Sequence, residues 1–233
     1  LFAEGTFNAA FIPSYTSSKL KSKQTGKTFA DDVLSLLVIT LIVIVTLAEI
    51  FTPLLVYLIA PGFIADNIKF NLAVEFTRIT FPFLLFVSLS SFFSGILNSN
   101  NKFAAAAAAP VILNIVLIIS ILVSYIQDLN IAKQLSYGVT AAGVLQLFFL
   151  IYFSFTYYKP RIKFKFKITN QLKNFFKKLL PSIFSSGVTQ INILVGTIIA
   201  SFQAGAVSYL YYADRVYQIN LAIAGIAVGT VSL

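Results

Sequence analysis

The residues most able to do chemistry in this chain are Asp214 and Arg215, set inside Tyr209-Leu-Tyr-Tyr-Ala-Asp-Arg-Val-Tyr217 in otherwise apolar text. An ionisable group at bilayer depth is costly and rare, so each one is a functional candidate by default. As neighbours on a helix the two side chains project about 100° apart and cannot simply neutralise each other. Each needs a partner on another helix, a water-filled cavity or a ligand. Tyr211 and Tyr212 stand four and three residues before Arg215, where a ring could hold the guanidinium by cation–π contact. The competing expectation is a structural ion pair near the outer interface with an aromatic belt. Glu4, in Phe2-Ala-Glu-Gly-Thr-Phe7, is the second candidate, because Gly5 permits close helix approach and a carboxylate among small residues suits a polar interior. Its bland alternative is an acid near a helix end. Glu49, between Thr46 and Thr52, reads as cavity-facing or interfacial rather than as a site. Gln190 and Asn192, with Thr189 and Thr197, polarise a late apolar stretch and suit interhelical hydrogen bonds.

Much chemistry is excluded. The chain has no histidine, cysteine, methionine or tryptophan, which removes thiolate and imidazole nucleophiles, most transition-metal sites and any disulfide framework. Its eight acids are scattered, with only Asp31-Asp32 paired, and those two read as helix N-terminal acids complementing the dipole. A membrane glycosyl- or phosphotransferase would need clustered acids for metal–diphosphate or acid–base work. No metal site and no cofactor are expected.

The elements that must position these residues follow from composition. Of 233 residues, 58% are apolar and 11% charged, against about 45–50% and about 25% in soluble domains. Lipid is therefore the expected solvent, and a core of about 30 Å asks for roughly 20 apolar helical residues per crossing. Six stretches meet or approach that length: Val33–Ala60, Phe76–Leu97, Ala104–Tyr125, Leu135–Tyr158, Leu179–Phe202 and Val207–Leu233. Leu1–Ser18 reads as the end of another helix with Pro13 near its exit, and Pro82 and Pro110 should bend theirs. The segments are too long and too non-alternating for barrel strands. The fold class is all-α, a polytopic transmembrane helix bundle. A chain opening at Leu1 and closing at Leu233 inside apolar text, without a start residue, is expected to be part of a longer protein.

The net charge of +9 is read by position. Loops one, three and five carry four, one and eight Lys/Arg, whereas loops two, four and six carry two, one and none. The first set is expected to be cytoplasmic, and the charge is a topology signal rather than a nucleic-acid footprint. In loop five, Ile162, Phe164, Phe166 and Ile168 alternate with Arg161, Lys163, Lys165 and Lys167, and Thr169 or Asn170 can cap a short helix carrying Lys173, Lys177 and Lys178. This suits an interfacial anchor on membrane lipids, or a basic vestibule gathering an anionic headgroup. The division expected is 1–158 as most of a first transmembrane lobe, 159–178 as a basic amphipathic cytoplasmic linker, and 179–233 as the start of a second lobe.

The ordered set Leu1-Phe-Ala-Glu-Gly-Thr-Phe7, Ala60-Pro-Gly-Phe63, Thr80-Phe-Pro-Phe83, Gly95-Ile-Leu-Asn98, Ala109-Pro-Val-Ile-Leu-Asn114, Gly143-Val-Leu-Gln146 and Tyr211-Tyr-Ala-Asp-Arg215 resembles the lipid II flippase family (MurJ, also called MviN) of the multidrug/oligosaccharidyl-lipid/polysaccharide exporter superfamily. The resemblance implies a two-lobed exporter fold of which this chain is about helices two to eight. It implies translocation of a polyprenyl-pyrophosphate-linked cell-wall precursor across the bacterial cytoplasmic membrane by alternating access, without covalent chemistry. Arg215 then matches one of the cavity arginines that meet the diphosphate, and Glu4 matches the Ala-Glu-Gly carboxylate. Gly196 stands where many relatives carry an acidic or amide residue, so the resemblance does not carry a sodium site over to this chain. The rival within the superfamily is an exporter of drugs or of another polyprenyl-linked sugar.

Overall fold

A computed structural model describes residues 6–163 and 169–231. They form nine α-helices and one 3₁₀ turn: α1 (Thr6–Lys21), α2 (Lys23–Ile50), α3 (Thr52–Ile59), the 3₁₀ turn Pro61–Ala65, α4 (Asn67–Thr80), α5 (Phe83–Asn98), α6 (Phe103–Ile126), α7 (Ile131–Ser154), α8 (Asn170–Ala200) and α9 (Ala206–Val231). Four stretches of described helix are long and apolar enough to cross a membrane: Lys23–Ile50, Asn67–Asn98, Phe103–Ile126 and Ile131–Ser154. Helices α8 and α9 span 31 and 26 residues.

The boundaries depart from the hydropathy reading where local chemistry intervenes. The expected span 33–60 is two helices. Helix α2 starts ten residues earlier, because Ser22 caps it by accepting from the Thr25 N–H at 3.0 Å. It stops at Ile50, where Pro53 follows and Thr52 Oγ1 donates back to the Ala48 carbonyl at 2.7 Å. Pro82 likewise separates α4 from α5. Pro82 has no N–H to give the Arg78 carbonyl, which interrupts the ladder, and the neighbouring Ile79 carbonyl accepts from the Thr140 hydroxyl on α7. Pro110, by contrast, stays inside an unbroken α6. The short basic helix expected after Thr169 is the first part of α8 and runs on through Pro181; Thr169 Oγ1 accepts from the Leu172 N–H at 3.3 Å. Most of the alternating segment before it, residues 164–168, lies outside the described residues.

The chain divides into two compact units, Leu1–Thr52 with Glu75–Val188, and Pro53–Val74 with Thr189–Leu233. In the first, α7 packs on α5 and α6, and α1 packs on α2 and α5. Unlike a water-soluble fold, this unit has an apolar surface, and short polar side chains share the interior with the apolar core. Ile42, Leu47, Val111, Ile118, Leu122 and Phe148 are exposed along α2, α6 and α7, while Ser88, Ser90, Ser120, Ser124, Ser136 and Gln146 are buried. At one end an aromatic cluster closes the core. Phe11 stacks on Phe7 at 5.2 Å and meets Phe92 at 5.0 Å, and Phe175 of α8 stands edge-on to Phe7 and Phe29 at 5.9 Å each. Leu172, Phe175 and Leu179 are thus buried in protein rather than turned to headgroups. In the second unit the Gly62 N–H donates to Ser201 Oγ at 3.0 Å. Any Cβ at Gly62 would collide with the Ser201 carbonyl, so this approach requires glycine.

The alternate loops converge as the charge pattern requires. Lys19 from loop one reaches Asn100 in loop three at 2.5 Å, and both line one cavity with Lys159 of loop five. Glu75 and Lys133, flanking loops two and four, pair at 2.7 Å.

Phe11 is fully buried among five other rings, so Phe11→Ala leaves a void. The surroundings are already apolar, which removes most of the transfer contribution and leaves the cavity term, roughly 2 kcal/mol. A lower thermal midpoint of the detergent-solubilised protein, with no matching drop for exposed Phe153→Ala, checks this.

Candidate functional site

Helix α9 begins just after Gly205, whose φ of +75° turns the chain out of α8. On it the expected constellation forms, with one member the sequence did not announce. Arg215 Nη2 donates to the Tyr211 hydroxyl at 3.0 Å, and the guanidinium carbon lies 4.9 Å from the Tyr211 ring centroid. Tyr212 instead stands edge-on to Tyr211 at 6.1 Å. Arg215 Nη1 donates to Gln218 Oε1 at 3.1 Å, and Gln218 Nε2 donates to Asp214 Oδ2 at 2.6 Å. Gln218 therefore bridges two side chains that cannot meet directly, by presenting a carbonyl to the cation and an amide to the anion. Its spacing of three and four residues from them was the available signal.

The consequence is electrostatic. Among the described residues no carboxylate pairs with Arg215; Asp214 projects from a different side of the helix and is bound to the Gln218 amide. The guanidinium spends two hydrogen bonds on neutral partners and keeps its full charge and its remaining N–H donors on an exposed face. Such a group offers a planar fork to phosphate or carboxylate oxygens.

The other candidates fall elsewhere. Glu4 lies outside the described residues. Gln190 is half-buried on α8, and Asn192 is exposed there with no hydrogen-bond partner among the described residues. Gly196, also on α8, faces Leu210 of α9, which a Cβ would approach to 3.4 Å.

A model of the family "Lipid II flippase MurJ" matches residues 1–233. The chain belongs to the MurJ family. Proteins described as probable lipid II flippase MurJ are 41% identical over 238 residues in Rickettsia prowazekii (strain Madrid E) and 40% identical over 239 residues in Rhizobium tropici. Each alignment covers 100% of this chain and, respectively, 46% and 45% of the relative. A solved structure of a lipid II flippase MurJ in an inward closed conformation superposes with a TM-score of 0.73 at 29% identity, over 94% of this chain and 44% of that one. This member is a multi-pass membrane protein, and the chain spans about half the length of the MurJ relatives it matches.

Sequence reasoning missed a second constellation in this MurJ chain and misread its two acids. Asp31 and Asp32 do not sit at a helix start. They lie two turns inside α2 and are each 3% exposed. Asp31 Oδ1 accepts from the Tyr158 hydroxyl at 2.7 Å and from the Arg161 N–H at 3.3 Å. Lys163 Nζ reaches Asp32 Oδ1 at 3.0 Å and lies 3.9 Å from Asp31 Oδ2, while the Lys163 N–H donates to Ser35 Oγ at 2.8 Å. The aspartates hold the chain that leaves α7. Nothing local in sequence encodes a partner 127 residues away.

Burial, then the hydrogen bond and charge of Asp31, push the Tyr158 phenol's pKa up from its ordinary 10.0. A raised folded pKa stabilises fully below the unfolded value and is lost as pH rises through the folded one. Tyr158→Phe leaves Asp31 short of a donor and costs roughly 1–3 kcal/mol. The thermal midpoints of wild type and variant should differ by a constant amount from about pH 7 to about pH 9 and converge only at strongly alkaline pH.

Proposed function

We propose that this chain is the substrate-gripping part of a flippase that moves a polyprenyl-pyrophosphate-linked peptidoglycan precursor (lipid II) across the bacterial cytoplasmic membrane. The polar headgroup crosses inside the protein by alternating access while the polyprenyl tail stays in hydrocarbon. Residues 1–158 supply most of a first lobe, 159–178 a basic linker and 179–233 the start of a second. The lysine-rich end, where loops one, three and five meet, faces the cytoplasm.

The observation that carries this reading is the guanidinium of Arg215, with which no carboxylate pairs among the described residues. A purely structural cation in a membrane helix is neutralised by a nearby acid, because an unpaired charge is costly there. Arg215 has an acid next to it in sequence, yet Gln218 occupies that carboxylate and leaves the cation for an external anion. Diphosphate oxygens match the remaining donors. Tyr211 limits where the guanidinium can point, which lowers the entropy lost when the anion docks. Asp214 contributes negative charge that keeps the site from holding an anion too tightly to release. Translocation that moves net charge is also open to the membrane potential, at about 2.3 kcal/mol per charge per 100 mV.

Arg215→Ala in the full-length protein should abolish delivery of lipid II to the outer face while membrane insertion stays normal. Arg215→Lys should restore part of it, since a lysine keeps the charge but loses the bidentate fork. The measurement is the fraction of lipid II accessible to an impermeant enzyme or label outside the cell. Normal accessibility in the alanine variant removes Arg215 from the mechanism.

A further inference from the structure

Three loops of the first unit enclose a cavity of about 440 Å³ that the transport reading does not use. Lys19 at the end of α1, Lys23 and Lys27 at the start of α2, and Lys159 after α7 line it together with Asn100. No acidic side chain is among its described lining residues. Lys19 is fixed by Asn100 Oδ1, and Asn100 is fixed in turn by donating from Nδ2 to the Ile96 carbonyl at 2.7 Å. Lys23, Lys27 and Lys159 have no carboxylate partner among the described residues. The crowding is built into the helix crossing, since a Cβ on Gly26 would stand 2.9 Å from the Lys19 Cα. Helix α2 also begins here, so its free N–H groups add to the positive field. Four ammonium groups around one hollow repel one another unless an anion sits between them.

The hollow adjoins an apolar groove. Phe155, Thr156 and Tyr157 line both, and the groove, of about 1190 Å³, runs between the start of α6 and the end of α7 past Phe103, Ala108 and Phe148. Phe103 and Phe148 are exposed, which in a membrane means open to acyl chains. At the groove's polar end stands Lys102, the N-cap of α6, which makes no side-chain capping bond and leaves the helix's first N–H groups without one. Cations at one end and an open apolar trough at the other are complementary to one kind of molecule. We propose that this is a binding site for an anionic phospholipid, with the phosphate in the lysine hollow and an acyl chain along the α6–α7 groove. Basic pockets between membrane helices are a recurrent way to hold acidic headgroups.

The test uses the full-length protein in detergent, probed with phosphatidylglycerol, phosphatidylcholine and free glycerol phosphate, with retained lipid read by native mass spectrometry. Phosphatidylglycerol should stay bound where phosphatidylcholine is stripped. The triple variant Lys23→Gln, Lys27→Gln, Lys159→Gln should weaken its retention about a hundredfold, the effect of losing three ammonium–phosphate attractions. Ala108→Trp, which fills the groove and touches no lysine, should weaken phosphatidylglycerol while leaving the wild-type affinity for glycerol phosphate. Equal retention of the two lipids, or wild-type retention by the triple variant, overturns the proposal. So does displacement of the lipid by glycerol phosphate at equal concentration, which would make the hollow a soluble-phosphate site. No step of the assay involves translocation, so failure here leaves the transport reading intact.

Discussion

Hydrocarbon offers no hydrogen bonds, and much of this structure answers that constraint. The backbone closes on itself in helices, and many of the side-chain hydroxyls are returned to it. Ser14, Ser18, Ser35, Ser120 and Ser136 each donate to the carbonyl four residues earlier, at 2.6 to 2.9 Å. Short polar side chains can then line the interior without demanding water, while isoleucine, leucine and phenylalanine face outward. At the break between α4 and α5, Thr140 donates to the Ile79 carbonyl from a neighbouring helix.

The parts of this arrangement that were legible in sequence are those set by composition and local spacing. Apolar length gave the helical class, and the Lys/Arg count in alternate loops foretold which loops share an end. The Tyr211–Arg215 contact followed from a four-residue spacing. Boundaries were less legible, because hydropathy does not register a break such as that at Phe51 or the continuation of α8 through Pro181. Long-range pairing was not legible at all. Asp31 and Asp32 looked like dipole partners at a helix start, and only the folded chain brings Tyr158 and Lys163 to them. Gln218 was overlooked for a different reason: a glutamine in an apolar helix attracts little notice until its two ends are seen to serve opposite charges.

The two ionic constellations solve opposite problems. At Asp31–Asp32 buried carboxylates are fully occupied by a phenol, a backbone N–H and an ammonium, an arrangement suited to holding a loop in place. At Arg215 the neighbouring acid is diverted and the cation stays open, an arrangement suited to exchange of a partner. Satisfied charge marks architecture here, and the open charge is the one proposed to meet a substrate anion.

The aspartate knot also bears on biosynthesis. Asp31 leaves the ribosome 127 residues ahead of Tyr158, which at typical elongation speeds is an interval of about 6 to 25 s. During that time α2 carries two carboxylates with none of their final partners, and they must remain at the wet edge of the membrane. Only when α7 has been inserted can the nascent polypeptide draw them inward. A stalled or truncated product ending before Tyr158 would keep two acids stranded two turns inside α2, without the phenol and ammonium that hold them in the finished fold.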